Sequence, residues 1–101
     1  MATWIQVGEE KLFLAPVKVI FHQGRRIAIF RIPQGIYAID DCCSHAEASL
    51  AEGDVFDHQV ECPSHGARFD LCTGKNLSFP AVTPVRSYPV KVENGIIYLE
   101  V

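Results

Sequence analysis

Two short segments carry most of the side chains that could do chemistry. Cys43-Ser44-His45 and Cys62-Pro63-Ser64-His65 each offer one thiol and one imidazole, with sixteen residues between the pairs. The stretch from 42 to 65 holds three of the four cysteines and three of the four histidines, a concentration that points to metal binding. Two cysteines and two histidines suit tetrahedral zinc, yet zinc folds typically take cysteine with cysteine and histidine with histidine from one knuckle or helix. Here every pair is mixed. A binuclear iron–sulfur cluster explains the mixture, because one iron takes both thiolates and the other both imidazoles, and two loops clamp it from opposite sides. Replacing two thiolates by neutral imidazoles removes two negative charges beside the metals, so electron uptake becomes easier.

The scaffold that must hold these pairs has 101 residues, room for one domain and not two. At 49% apolar it can bury a core, but so short a chain has little stability to spare and would gain from a bound metal. The pattern is β throughout. "TWIQV", "PVKVIFH", "RRIAIFRI" and "GIYAID" are short β-branched and aromatic runs separated by glycine or proline. In "RRIAIFRI" both alternating faces are apolar, Ile27 and Ile29 against Ala28, Phe30 and Ile32, which suits a strand buried on both sides. Near the end, Tyr88, Val90 and Val92 alternate with Ser87, Lys91 and Glu93, Pro89 marks an edge strand, and Asn94-Gly95 supplies a type I′ hairpin turn. Only "HAEASLAE", residues 45–52, has room for a helix, of barely two turns. The expected fold is one antiparallel β-domain with a long excursion from about Cys42 to Gly74.

Composition excludes several roles. The net charge is −3 and no lysine/arginine stripe is present, which argues against nucleic acid. Arg25-Arg26, the only basic doublet, follows Gly24 and reads as a solvated hairpin tip. Pro16 and Lys18 interrupt "LFLAPVKVIF", so no apolar run reaches membrane-spanning length. "MATWIQVGEE" has neither the basic nor the apolar region of a secretory signal. The expected compartment is the cytoplasm, where clustered cysteines mean metal more often than disulfide.

With these residues in view, the chain resembles the Rieske iron–sulfur proteins, in particular the soluble Rieske-type ferredoxins of bacterial ring-hydroxylating dioxygenase systems. "CSH", sixteen residues and "CPSHG" carry the resemblance, and "GDVFDHQVECPSHGARFDLCTGK" extends it through the second loop. "PAVTPV", from Pro80, falls where the family has a proline-containing loop over the cluster. The resemblance implies an all-β, antiparallel sandwich or barrel-like Rieske fold with a small cluster-binding subdomain inserted. A single domain would cover 1–101, with a basal part at about 1–41 and 75–101 and a cluster-binding part at about 42–74. It implies one [2Fe–2S] cluster per chain, with Cys43 and Cys62 on the buried iron and His45 and His65 on the outer one. The implied role is a monomeric one-electron carrier with no catalytic residue of its own. Its partners would be a flavin-containing reductase and a terminal oxygenase, with no contact to nucleic acid or membrane.

Departures from the respiratory members bear on the potential. Those carry a disulfide between the loops and two hydroxyls that bond to sulfur; the matching positions here are Ala48 and Ser64, then Ala67 and Phe69. Fewer donors to sulfur leave the reduced charge less stabilised, which implies a potential towards the roughly −150 mV end of the Rieske range.

The remaining candidates have plainer readings. Cys42 and Cys72 read as small buried hydrophobes; Cys42, beside a proposed ligand, has ligation as its alternative, and a disulfide between the two stays open although the compartment argues against it. His22 and His58 read as surface or locally bonded side chains. Gly66 reads as a point of close backbone approach or an ordinary turn glycine, and Pro63 as a residue that shapes its loop. Glu47, Glu52 and Asp54 read as a solvated face, with partner docking as the alternative. A catalytic oxygenase would need a mononuclear 2-His-1-carboxylate iron, and only His22 and His58 are left to form one. Two rivals stay open: a zinc-stabilised interaction module, and an electron donor to another oxidoreductase or to iron–sulfur assembly. Colour separates the first, since zinc is colourless.

Overall fold

Hairpins with two-residue turns account for most of the architecture. β2 (Val17–His22) and β3 (Arg25–Ile32) are joined by Gln23-Gly24, both at positive φ (47° and 79°), and pair from Val17↔Phe30 to His22↔Arg25. β4 (Gly35–Asp40) returns along β3 in the register Ile32↔Gly35 to Ile27↔Asp40. At the carboxyl end β9 (Val90–Glu93) turns through Asn94-Gly95, φ 51° and 77°, into β10 (Ile96–Glu100). Both central residues are at positive φ, as a type I′ turn requires. The structure is a computed structural model that describes residues 3–44, 47–64, 66–79 and 83–101.

The strands form three antiparallel sheets. β1 (Trp4–Glu9) lies beside β10 and then β9; β2, β3, β4 and the two-residue β8 (Ser87–Tyr88) form the second; β5 (Asp54–Phe56), β6 (Gln59–Glu61) and β7 (Arg68–Asp70) form the third. None closes on itself, so the fold is a stack of open sheets and not a barrel. The second sheet is the middle layer. Ile27 and Ile29 pack with Ala38, Tyr88, Ile97 and Leu99 on the side of the first sheet. Ala28 and Phe30 pack with Ile39, Val60 and Phe69 on the side of the third. β3 is thus buried on both faces, as its sequence predicts. No helix among the described residues is long and apolar enough to cross a membrane.

Two expectations change and a third gains detail. The run around Pro89 is not one strand: β8 belongs to the middle sheet and β9 to the first, both at edges. Proline has no N–H to continue a ladder, so the chain changes sheets there. The two-turn helix at 45–52 is a single 3-10 turn, Leu50–Glu52, and a second short turn, Glu10–Leu12, lies where none was expected; positions 45 and 46 of the predicted helix are outside the described residues. Arg25-Arg26 is exposed beside a hairpin turn, as expected, but both side chains have partners. Gln23-Gly24 makes the turn, Arg25 donates to the Tyr88 hydroxyl (3.2 Å) and Arg26 pairs with Asp41 (2.7 Å).

Candidate metal centre

Cys43 and Cys62 are both buried and belong to one apolar cluster with Leu50, Ala67 and Phe69. Each begins a six-residue loop closed in the same way. The Cys43 N–H donates to Ala48 O (3.0 Å), and the Cys62 N–H donates to Ala67 O (2.7 Å). Within the second loop the Gly66 N–H also turns back to Cys62 O (3.1 Å), with Gly66 at φ +78°. Ordinary side chains disfavour that conformation, and a Cβ there would meet nothing closer than 4.0 Å, so the glycine is explained by its φ. In sequence His45 falls inside the first loop and His65 inside the second; both lie outside the described residues.

The first loop is braced by a residue that its sequence does not advertise. Asp41 is fully buried, and its carboxylate accepts from Arg26 Nε (2.7 Å), Ser49 Oγ (2.9 Å) and the Ala51 N–H (2.8 Å). The only sequence signal is a charged residue that directly follows the apolar strand "GIYAID". The second loop grows from β6 and β7, where Arg68 Nε donates to Glu61 Oε1 (3.1 Å) and Arg68 stacks over Phe56. A third segment joins them. Ser44 Oγ donates to Thr83 O (2.8 Å), and Val85, which shares the cluster of the two thiols, donates its N–H to Gly74 O (2.9 Å). A Cβ on Gly74 would lie 2.1 Å from Val85 O. Residues 80–82 of the expected proline-containing loop are outside the described residues.

Other candidates fall elsewhere. Cys42 and Cys72 are exposed free thiols, not buried hydrophobes, and they form no disulfide. Cys42 alternates with the inward-facing Asp41 and Cys43, while Cys72 sits in a turn whose N–H groups, its own and that of Thr73, are held by Asp70 Oδ1. His58 bonds through Nδ1 to Asp57 (2.9 Å), with Nε2 3.4 Å from Asp70, a local role as expected. His22 is half-buried in β2 opposite Arg25. Glu47, Glu52 and Asp54 are exposed. Ala67 and Phe69 are fully buried, so no hydroxyl serves those two positions. Near the first loop the Tyr88 hydroxyl donates to Asp40 Oδ1 (2.5 Å), and burial, aided by that bond, pushes the phenol above its ordinary range, against the opposing Arg25 guanidinium.

The donor set suits an iron–sulfur cluster: two buried thiols in one apolar cluster, at matched positions of two loops. Among the described residues no three cysteine, histidine or carboxylate side chains converge.

Comparison with known proteins agrees. The naphthalene 1,2-dioxygenase system ferredoxin component of Pseudomonas putida is 40% identical over 92 residues, 90% of this chain and 88% of that one. The 3-phenylpropionate/cinnamic acid dioxygenase ferredoxin subunit of Escherichia coli (strain K12) is 49% identical over 75 residues, 73% and 71% of the two chains. A chain in the solved complex of reduced oxygenase and oxidized ferredoxin in carbazole 1,9a-dioxygenase superposes with TM-score 0.86 at 32% identity, covering 95% of this chain and 91% of that one. The Rieske [2Fe-2S] domain profile matches residues 3–89. By its loops, its sheets and these relatives, the chain belongs to the Rieske [2Fe-2S] domain family.

Proposed function

We propose that this protein is a one-electron carrier, a Rieske-type ferredoxin that delivers electrons to a terminal oxygenase and receives them from a flavin-containing reductase. The observation that carries the reading is the pair of six-residue loops, each begun by a buried cysteine and closed by the same backbone hydrogen bond. Cys43 and Cys62 would hold one iron of a single [2Fe–2S] cluster, and His45 and His65 the other. When bound, that cluster accepts and releases one electron. The chain's own part is to fix the loops, exclude water from the sulfur side through Leu50, Ala67 and Phe69, and leave the histidine positions for contact with a partner. We take 1–101 as one domain, with a basal part at about 1–41 and 75–101 and a cluster-binding part at about 42–74.

The relatives named above serve oxygenases that act on naphthalene, phenylpropionate or cinnamic acid, and carbazole. Such different substrates with one kind of carrier place substrate choice in the oxygenase. Two exposed thiols, Cys42 and Cys72, suit a reducing compartment, and we assign the protein to the cytoplasm as a monomer.

The test is the purified protein's colour and its voltammetry from neutral to strongly alkaline pH. An imidazole on ferric iron gives up its second N–H at lower pH than one on ferrous iron, so reduction at alkaline pH takes up protons. The midpoint potential is expected to be flat near neutrality and then to fall by about 59 mV per pH unit for each proton coupled. A colourless protein that contains zinc, or a red-brown one whose potential stays flat throughout, overturns the proposed ligand set.

A further inference from the structure

The two ligand loops close alike, but their stems are held differently. The Cys62 loop emerges from a ladder in which β6 and β7 pair at three positions, ending at Glu61↔Arg68. Among the described residues the Cys43 loop has no ladder beneath it, only the single bridge Cys42↔Ser49. Asp41 occupies the place of the missing strand pairs. Its side chain is 1% exposed. One carboxylate oxygen takes Arg26 of β3, and the other takes both the Ser49 hydroxyl and the Ala51 N–H, just past the loop's exit. Its backbone repeats the tie, with its N–H to Arg26 O (2.9 Å) and its C=O from the Leu50 N–H (2.7 Å). One residue thus joins the rigid middle sheet to both the entry and the exit of the first loop.

We propose that Asp41 is the positioning residue of the first ligand loop, fixing Cys43 opposite Cys62 before any metal is bound. The inference rests on the assignment of Cys43 as a ligand. Hydrogen bonds donated to a carboxylate are stronger than those between neutral groups. Removing the carboxylate strands a hydroxyl and an N–H on two half-buried residues, at part of the cost of unmet buried donors. Arg26, half exposed, can turn to water instead. The damage is therefore confined to the first loop.

The test compares wild type with Asp41→Ala, Asp41→Asn and Ser49→Ala, and with Ile97→Ala as a variant destabilised in the opposite core. Three quantities are read: hydrogen exchange over residues 42–51 and 60–68, the rate of bleaching by an iron chelator, and the midpoint potential. Asp41→Ala is expected to speed exchange over 42–51 and bleaching by about tenfold or more, with 60–68 close to wild type. Asp41→Asn keeps the acceptor to Ser49 and Ala51, so its loop stays protected, but its potential rises because a negative charge opposing the added electron has gone. Ile97→Ala should change neither the contrast between the loops nor the potential. Equal acceleration of both segments in Asp41→Ala, or the same pattern in Ile97→Ala, overturns the role. If Asp41→Ala does not fold, unchanged exchange in Ser49→Ala together with an unchanged potential in Asp41→Asn overturns it. A Cys43→Ser protein that keeps its visible spectrum would instead sink the ligand assignment, while the exchange comparison would still stand.

Discussion

Cysteine placement separates the four thiols into two classes with different chemistry. Cys43 and Cys62 are buried at the loop starts, whereas Cys42 and Cys72 face solvent. Cys43→Ser or Cys62→Ser is expected to abolish the visible spectrum, and Cys42→Ser or Cys72→Ser to leave it intact. In the native protein a thiol reagent should modify Cys42 and Cys72 alone, which peptide mapping reads directly. Restoring hydroxyls with Ala67→Ser and Phe69→Tyr is expected to raise the midpoint potential, because each new donor to sulfur favours the more negative reduced state. An unchanged or lower potential in the double variant would show that these positions do not face sulfur. The paired motifs were legible because Cys-x-His and Cys-x-x-His are local patterns. The exposure of Cys42 and Cys72 was not, because composition favours burial for a free cysteine and only the fold shows that neighbours along an extended chain face opposite ways. Asp41 was equally hidden: its three partners come from three separate places in the chain.

Between elements, the joints matter more than the strands. Gly74 has φ +77° and lies against the Val85 carbonyl, at the point where the segment after β7 is tied to the one that closes over the thiols. Gly74→Ala is expected to cost about 1–3 kcal/mol from the backbone conformation alone, with more from the collision, as chemical denaturation would show. Tyr88 tests the joint between β4 and β8. Its folded pKa lies above the free value of about 10, so the folded state holds its proton more tightly than the unfolded chain does. That contribution is complete below about pH 10 and is lost as pH rises from there through the folded value. Denaturation of wild type and Tyr88→Phe from about pH 9 to about pH 11 should show the wild type alone losing this increment; parallel curves would contradict it. Strands and two-residue turns were legible because alternation and Asn-Gly are local signals. The split at Pro89 and the shrinking of the 45–52 helix to one 3-10 turn follow from packing against other sheets, which local periodicity does not contain.

At the scale of the molecule, charge is segregated. From 42 to 74 the chain carries Glu47, Glu52, Asp54, Asp57, Glu61 and Asp70 against Arg68 alone, while the remainder has more bases than acids. The end that bears the thiols is therefore negative on a scaffold that is not, and a partner with a basic face would be oriented as it approaches. Stopped-flow reduction by the proposed reductase partner should slow as salt rises. Glu47→Lys, at an exposed position, should slow it severalfold at low salt and flatten the salt dependence. Matching rates across an ionic-strength series would place docking elsewhere. The net charge was read correctly from composition, but its separation into two ends acquired a direction only when the third sheet was seen stacked on one side of the middle one.

A middle strand that is apolar on both faces carries a hazard during folding. Where one face is polar, a slip of one residue exposes apolar side chains and is rejected. In β3 the same slip would exchange Ile27 and Ile29 for Ala28 and Phe30, greasy for greasy, and burial alone would barely object. Alignment must then be enforced at the ends, by the tight Gln23-Gly24 turn and by the Arg26–Asp41 clasp, which only the native register can close. A chain lacking that clasp still has the turn, so it is expected to reach the same native sheet but more slowly, and the acidic side chain that braces the Cys43 loop would also help to proofread the sheet.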